Sequence, residues 1–354
     1  MPYENYIKPI PIKKSDDIFN LIQGKCDECC PDIRENYIFR GLENVEYDLV
    51  PSSLRQEEKN GKIIKKIDKF YNHSQLYDNS IYQTLKEIVV LKKFLNLADK
   101  SGLKVPYNHK LRLIMDNVVD NDLINSLLNN NTWPDDEYFE IISLAQHYGL
   151  PTIALDWSYN YKTALYFATV GCLWKKNKDN DCVLWALNYQ IFEKYFSKEE
   201  GTQRLNNCPL YIYRPQYHLN PFMAAQKGLF TFWREKVGSA EINRTPLDEK
   251  IEKLMDGQLR DMCGIESLEK MKKEIMKNDI KLLYKFIIPS KFKEKILKEL
   301  NIEGCSEEYI YPGYSGVVSS IKNSTRLNKK YKNDVSSINS NKETIIEMIE
   351  NNMI

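Results

Sequence analysis

Residues 143–168 read SLAQHYGLPTIALDWSYNYKTALYFA, and the fold follows from how this stretch is punctuated. Just upstream, TWPDDE at 132–137 reads as a helix start, with Pro134 in the first turn and acids where the helix dipole favours them. Tyr138, Ile141, Ile142 and Ala145 then recur at helical spacing, which predicts one buried face. Gly149 suits a C-terminal cap and Pro151 forbids continuation. Thr152 to Leu155 is short, apolar and partly β-branched, the composition of a buried strand. Ser158 or Asn160 can cap a second helix, in which Tyr161, Ala164, Leu165, Ala168 and Cys172 share a face. The order is helix, strand, helix. Gln146, His147, Asp156, Trp157, Ser158 and Tyr166 sit at or beside the joints, and sites in sheet proteins collect at strand ends.

Working outward, Tyr37-Ile38-Phe39 predicts a strand that delivers Arg40 to its end, with Gly41 permitting an irregular turn. Two readings stand for Arg40: its planar fork grips a phosphate or carboxylate, or it is a buried partner of an acid such as Asp156. Ser80 to Lys100 carries a broad apolar stripe and predicts a long helix, with Glu87 placed on its exposed edge or as a partner of Arg40. Leu111 to Leu128 predicts another helix, followed by an Asn129–Asn131 loop. Further strands are expected at Cys182–Leu187, Leu210–Tyr213 and Leu282–Ile288, and helices at Ile191–Phe196, Ile251–Lys277 and from Ser290. Gln226, beside Gly228 on an apolar segment, either satisfies backbone or orients a ligand hydroxyl. Tyr309 to Val317 reads as turn-rich and 323–340 as a mobile linker, with apolar residues at helical spacing in 344–354.

Three blocks carry a family resemblance. Phe39-Arg40-Gly41 is followed by Tyr47-Asp48-Leu49-Val50-Pro51-Ser52; then come AQHYGLPT, LDWS and ALYFA; then Asn220-Pro221 through Ala225-Gln226-Lys227-Gly228-Leu229-Phe230-Thr231. In this order they resemble the FRG domain family, and the resemblance implies an FRG domain over 36–322. That leaves an N-terminal extension over 1–35, helical insertions near 80–131 and 245–280, and a 323–354 tail.

The same elements are more distantly similar to the NAD-binding core of ADP-ribosyltransferases, in which a strand ending in Arg precedes a hydroxyl-bearing strand and an A-x-x-F-A helix. That resemblance implies Arg40, Asp156, Ser158 and Gln226 as catalytic residues. It implies Arg40, His147, Tyr148, Trp157 and Tyr166 as residues binding NAD. Cleavage of the nicotinamide–ribose bond develops positive charge on the ribose, which a carboxylate or amide stabilises, while an Arg holds phosphate and an aromatic face packs the base. Where those enzymes usually carry Glu, this chain has Gln226. A toxin or antiviral-defence setting would accompany such chemistry. The alternative is a binding module for a nucleotide or a protein or nucleic-acid target, without turnover.

Composition limits the other classes. The chain has 354 residues and a net charge of +1, from 50 basic and 49 acidic side chains, so no global field steers it to nucleic acid or an anionic membrane. No stretch reads as a signal peptide or membrane span, and eight scattered cysteines fit a reduced, cytoplasmic setting. Cys26, Cys29 and Cys30 contain a C-x-x-C half-site, but no second half appears, so no metal is expected. No P-loop or G-x-G-x-x-G is present, and nothing fixes a catalytic triad around His147, which reads as a general base or a half-buried hydrogen-bonded histidine. The expectation is an α+β protein with a mixed or antiparallel sheet flanked by helices.

Overall fold

A computed structural model describes residues 6–25, 31–59, 62–71, 80–106, 108–109, 111–112, 132–173, 179–196, 208–237, 243–259 and 264–327. Its centre is a seven-stranded mixed sheet in the order β1-β11-β7-β2-β6-β9-β8. The members are β1 (Ile7–Pro11), β2 (Tyr37–Leu42), β6 (Leu155–Ser158), β7 (Cys182–Asn188), β8 (Leu210–Tyr213), β9 (Gly228–Trp233) and β11 (Leu283–Ile288). Two small ribbons stand apart: β3 (Gln56–Lys59) with β4 (Lys62–Lys65), and β5 (Thr132–Trp133) with β10 (Glu235–Lys236). Every pairing in the main sheet is antiparallel except β1 with β11.

Eleven helices lie among the described residues: α1 (Asp17–Ile22), α2 (Ser80–Lys100), α3 (Phe139–His147), α4 (Tyr161–Thr169), α5 (Tyr189–Phe196), α6 (Pro221–Ala225), α7 (Leu247–Met255), α8 (Ile265–Asn278), α9 (Ser290–Ile302), α10 (Glu307–Ile310) and α11 (Tyr314–Leu327). This is the expected α+β architecture. Strand alternation sorts the core. Ile38, Trp157, Trp185 and Leu229 pack on one face with α5, α7 and α8. Phe39, Leu184 and Phe286 pack on the other with α1, α4 and α9. Further along the sheet a third cluster joins α2 and α3 to Phe230 and Phe232, with Phe139 stacked 4.1 Å from Phe232. No helix among the described residues is long and apolar enough to cross a membrane.

Gly41 shows how tightly the first motif is held. A Cβ there would lie 1.8 Å from the Ala164 carbonyl oxygen and 2.7 Å from the Ala168 nitrogen, so α4 can seat on β2 only over a glycine. The Phe-Arg-Gly block and the A-L-x-F-A helix are therefore two sides of one contact.

Several expectations change. Glu87 is not at an exposed edge and does not meet Arg40: it is 4% exposed, accepting from Gln83 Nε2 at 2.8 Å and from Trp133 Nε1 at 2.6 Å. A carboxylate with two fitted donors can sit in an apolar stripe that periodicity alone would deny it. Thr132–Trp133 form a strand, and the helix begins later, after a 3-10 turn at Asp136–Tyr138 whose cap is Asp135. The expected 251–277 helix is two helices, α7 and α8. Residues 314–327 are helical where turns and linker were expected. Ile7–Pro11, read only as part of a mixed N-terminal extension, add the edge strand beside β11. Cys26, Cys29, Cys30, nearly all of the 111–128 helix and residues 328–354 lie outside the described residues.

Candidate functional site

The site forms where two neighbouring strands separate. β2 pairs with β7 from Tyr37 to Leu42, but with β6 only at Phe39 opposite Ser158. Beyond that pair the Arg40 guanidinium takes over: Nη1 donates to the Asp156 backbone oxygen at 2.5 Å and forms an ion pair with Asp156 Oδ1 at 2.6 Å. A side chain thus bridges strands where a backbone ladder would otherwise continue. Arg40 is 8% exposed, while the Asp156 side chain is 54% exposed. Arg40 Nε is buried with no hydrogen-bond partner among the described residues.

Asp156 alternates with Leu155 and Trp157, so it leaves the sheet on the face opposite their core cluster. Gln146, at the end of α3, donates to Asp156 Oδ1 at 3.3 Å. Its orientation is imposed by two hydroxyls: Ser52 and Thr152 both donate to Gln146 Oε1, at 3.1 and 2.8 Å. With the carbonyl end committed, the amide N–H end must turn toward the carboxylate. Thr152 N in turn donates to Ser52 Oγ at 2.9 Å, tying the Val-Pro-Ser segment to the Gly-Leu-Pro-Thr turn.

Arg55 completes the charge arrangement. Its Nε donates to the Val50 carbonyl at 2.8 Å, and among the described residues its terminal nitrogens have no other hydrogen bond or ion pair. Burial, then the neighbouring charge of Arg40, lowers its pKa to about 10, with Asp156 opposing. For Asp156, desolvation pushes the carboxyl up, but the charge and hydrogen bond of Arg40 outweigh it and hold it below the ordinary range. The cluster is therefore two guanidiniums around one ionised, accessible carboxylate, with the charge of Asp48 also acting on Arg55. A guanidinium with uncommitted terminal donors suits an anion.

An aromatic wall stands beside the cluster. His147 stacks on Phe222 of α6 (5.5 Å, 29°), and Phe222 lies 6.3 Å from Tyr311. Desolvation lowers the His147 pKa against the opposing charge of Asp156, which favours a neutral ring at pH 7. Tyr311 is pushed up by burial, Glu307 and Asp156. The third motif block supplies Phe222, and Gln226 Nε2 donates to the Ile310 carbonyl at 3.2 Å, fixing the chain just before Tyr311.

Of the residues singled out in the sequence, the structure brings together Arg40, Asp156 and His147, with Gln226 bracing the wall. Ser158 is committed to the protein itself: its hydroxyl donates to the Gln226 carbonyl at 2.7 Å and accepts from Asn160 N at 2.9 Å. Trp157 does not offer a stacking face. It is 3% exposed in the core on the far side of the strand, its Nε1 donating to Thr231 Oγ1 at 2.9 Å. Tyr166 is likewise buried and donates to Glu307. Tyr148 is 61% exposed and edge-on to His147. Burial of Trp157 on the core face of β6 and of Tyr166 within α4 removes two of the aromatics that adjacency in sequence had suggested.

The sequence reading missed Arg55, Ser52, Thr152, Phe222 and Tyr311 as site residues. Ser52, Thr152 and Phe222 were signalled only by their position inside motif blocks. Among the described residues no group of three or more His, Cys, Asp or Glu side chains is arranged to hold a metal.

In comparisons with known proteins, the family model of the FRG domain matches residues 107–178. The match takes in α3, β6 and α4, hence Gln146, His147, Asp156 and Ser158; Arg40, Arg55 and Gln226 lie outside it. No curated protein matches the chain, and no solved structure does. None of the comparisons brings up an ADP-ribosyltransferase.

Proposed function

We propose that this chain, with its FRG domain segment, binds a phosphate-bearing nucleotide at the Arg40–Asp156–Arg55 cluster and acts on it as an enzyme, with NAD the substrate class. The observation that carries this reading is Arg55: a half-buried guanidinium whose terminal nitrogens have no acceptor among the described residues, beside an Arg40 that is already neutralised. An Arg fork held this way is suited to two phosphate oxygens. Asp156 is ionised, fixed by Arg40 and Gln146 and still reachable. A carboxylate held in place before reaction stabilises positive charge as it develops on a ribose without reorganisation cost. In this reading Asp156 fills the role usually given to Glu, and Gln226 positions Tyr311 rather than touching ribose.

A second reading is supported by Ser158 and Gln226, whose polar groups are occupied by the protein itself. In it the same charged cluster binds a nucleotide, or a phosphorylated partner, without turnover.

Incubation with NAD while following nicotinamide release tests the first reading, with Asp156→Asn and Arg55→Ala as variants. Release by the parent chain, lost in Asp156→Asn, supports an enzyme. Saturable NAD binding without release, abolished in Arg55→Ala, leaves the binding module. No binding of NAD, ATP or inorganic phosphate to the parent chain overturns both.

A further inference from the structure

The last described helix, α11, turns its apolar side outward. Tyr314, Val317, Val318 and Ile321, spaced i, i+3, i+4 and i+7, are all exposed, Tyr314 by 92% and Ile321 by 62%. Toward the protein the same helix presents small and polar residues. A Cβ on Gly316 would lie 1.8 Å from the Tyr311 carbonyl oxygen, Ser320 hydrogen-bonds the Glu308 carboxylate, and Asn323 Nδ2 donates to Glu307. A surface helix ordinarily turns its apolar stripe to the core. Single exposed apolar side chains need no explanation, but a contiguous stripe on one helix marks a surface that something covers.

The chain itself supplies a matching segment. Residues 344–354 read TIIEMIENNMI, in which Ile345, Ile346, Ile349 and Met353 recur at helical spacing. Glu343, Glu347 and Glu350, spaced i, i+4 and i+7, fall along one side of such a helix, and no base follows Lys342. α11 is the complement: Lys322 and Arg326 are exposed in its C-terminal half, and it contains no acid. Reach is sufficient, since the sixteen residues 328–343 can span up to about 50 Å, while α11 is about 21 Å long and an eleven-residue helix about 16 Å. Running back along α11, the segment brings Glu343 and Glu347 to the end that holds Lys322 and Arg326, and Ile349 and Met353 toward Val317 and Tyr314. A second α11 is a poorer cover, because it repeats the same two bases and brings no acid.

We propose that residues 344–354 dock as an antiparallel helix on the exposed stripe of α11 within the same chain. The docked segment lies on the helix that starts three residues after Tyr311, next to the aromatic wall of the candidate site. It uses none of Arg40, Arg55 or Asp156, so it stands apart from the nucleotide reading.

Hydrogen exchange of the full chain, read by mass spectrometry, tests the docking. An isolated helix of this length is marginal in water, so protection of 344–354 reports packing. These amides are expected to exchange at least about tenfold more slowly than in a free peptide of the same sequence, and Val318→Asp removes that protection while β7 stays protected. Ile349→Asp is the reciprocal change: it speeds exchange across residues 317–321, and it decides by itself if Val318→Asp does not fold. Met276→Asp, on the exposed side of α8, alters neither segment. Exchange of 344–354 at the free-peptide rate in the native chain, protection that survives Val318→Asp, or an α11 unaffected by Ile349→Asp overturns the proposal. Protection that fades on dilution as a dimer seen by light scattering dissociates also overturns it, and gives the stripe to a second copy.

Discussion

Replacing Asp156 by Asn is the most direct probe of the charged cluster. The substitution leaves the backbone bond from Arg40 Nη1 to the Asp156 carbonyl intact and keeps an oxygen for the guanidinium and for Gln146. What it removes is the counter-charge 2.6 Å from Nη1. Stripping the partner from a fully buried pair costs about 3–5 kcal/mol, whereas an exposed pair is worth about 0–1 kcal/mol. Arg40 is 8% exposed and Asp156 54%, so solvent reaches one side of the pair only. The expected loss for Asp156→Asn is therefore about 1–2 kcal/mol, with roughly 1 kcal/mol more for Asp156→Ala, which also forfeits the acceptor. Urea unfolding at constant ionic strength measures both.

A double-mutant cycle with Arg40→Met isolates the pair, and a coupling of about 1 kcal/mol or more is expected. The pH dependence supplies a second readout. The Asp156 pKa is lowered on folding, so its stabilisation is present above the unfolded value near 4 and disappears as pH falls through the folded value. The gap between parent and Asp156→Asn should hold above about pH 5 and narrow only below about pH 4. A variant within about 0.5 kcal/mol of the parent at pH 7, or a coupling indistinguishable from zero, would refute the argument that Arg40 depends on this carboxylate.

Gly41→Ala should destabilise by more than about 3 kcal/mol or abolish soluble expression, because the added carbon meets backbone atoms of α4 that cannot give way; a melting temperature close to that of the parent contradicts the packing described. Burial raises the Glu87 pKa, so the folded chain holds this proton to higher pH than the unfolded chain, and stability conferred at low pH is lost as pH rises above the unfolded value near 4.3. Glu87→Gln turns an amide N–H₂ toward Gln83 or Trp133, so its cost of about 1–3 kcal/mol should be largest in acid and shrink toward neutral pH; a cost that grows with pH runs against this sign. His147, observed by NMR titration of its ring protons, should titrate below 6.5, and lower still in Asp156→Asn, where the opposing charge is gone; an upward move in that variant excludes the assigned contact.

Much of the scaffold was legible because it depends on local pattern. The apolar run CVLWAL can be buried on both faces only in the middle of a sheet, and β7 lies there, third from one edge. Gly149 with Pro151 ends α3 wherever the rest of the chain goes, and Asn160 caps α4 with its own side chain. The residue types of the site were also legible in part: Arg40 and Asp156 needed only to lie on neighbouring strands, and β2 and β6 made them so, although β2 runs through Arg40 and Gly41 to Leu42 where a strand end and a turn were expected.

The local pattern of the sequence determined where most helices and strands lie, since spacing and turn chemistry act within a few residues, while the grouping of the three distant motif blocks came from the family resemblance. The tertiary structure alone decided which polar groups face one another. Trp157 and Asp156 are adjacent in the chain, yet strand alternation sends the first into the core and the second out to the Arg40 guanidinium. Arg55, Thr152 and Tyr311 come from separate segments, and only the closing of loops over the split between β2 and β6 sets their charges and hydrogen bonds around one carboxylate.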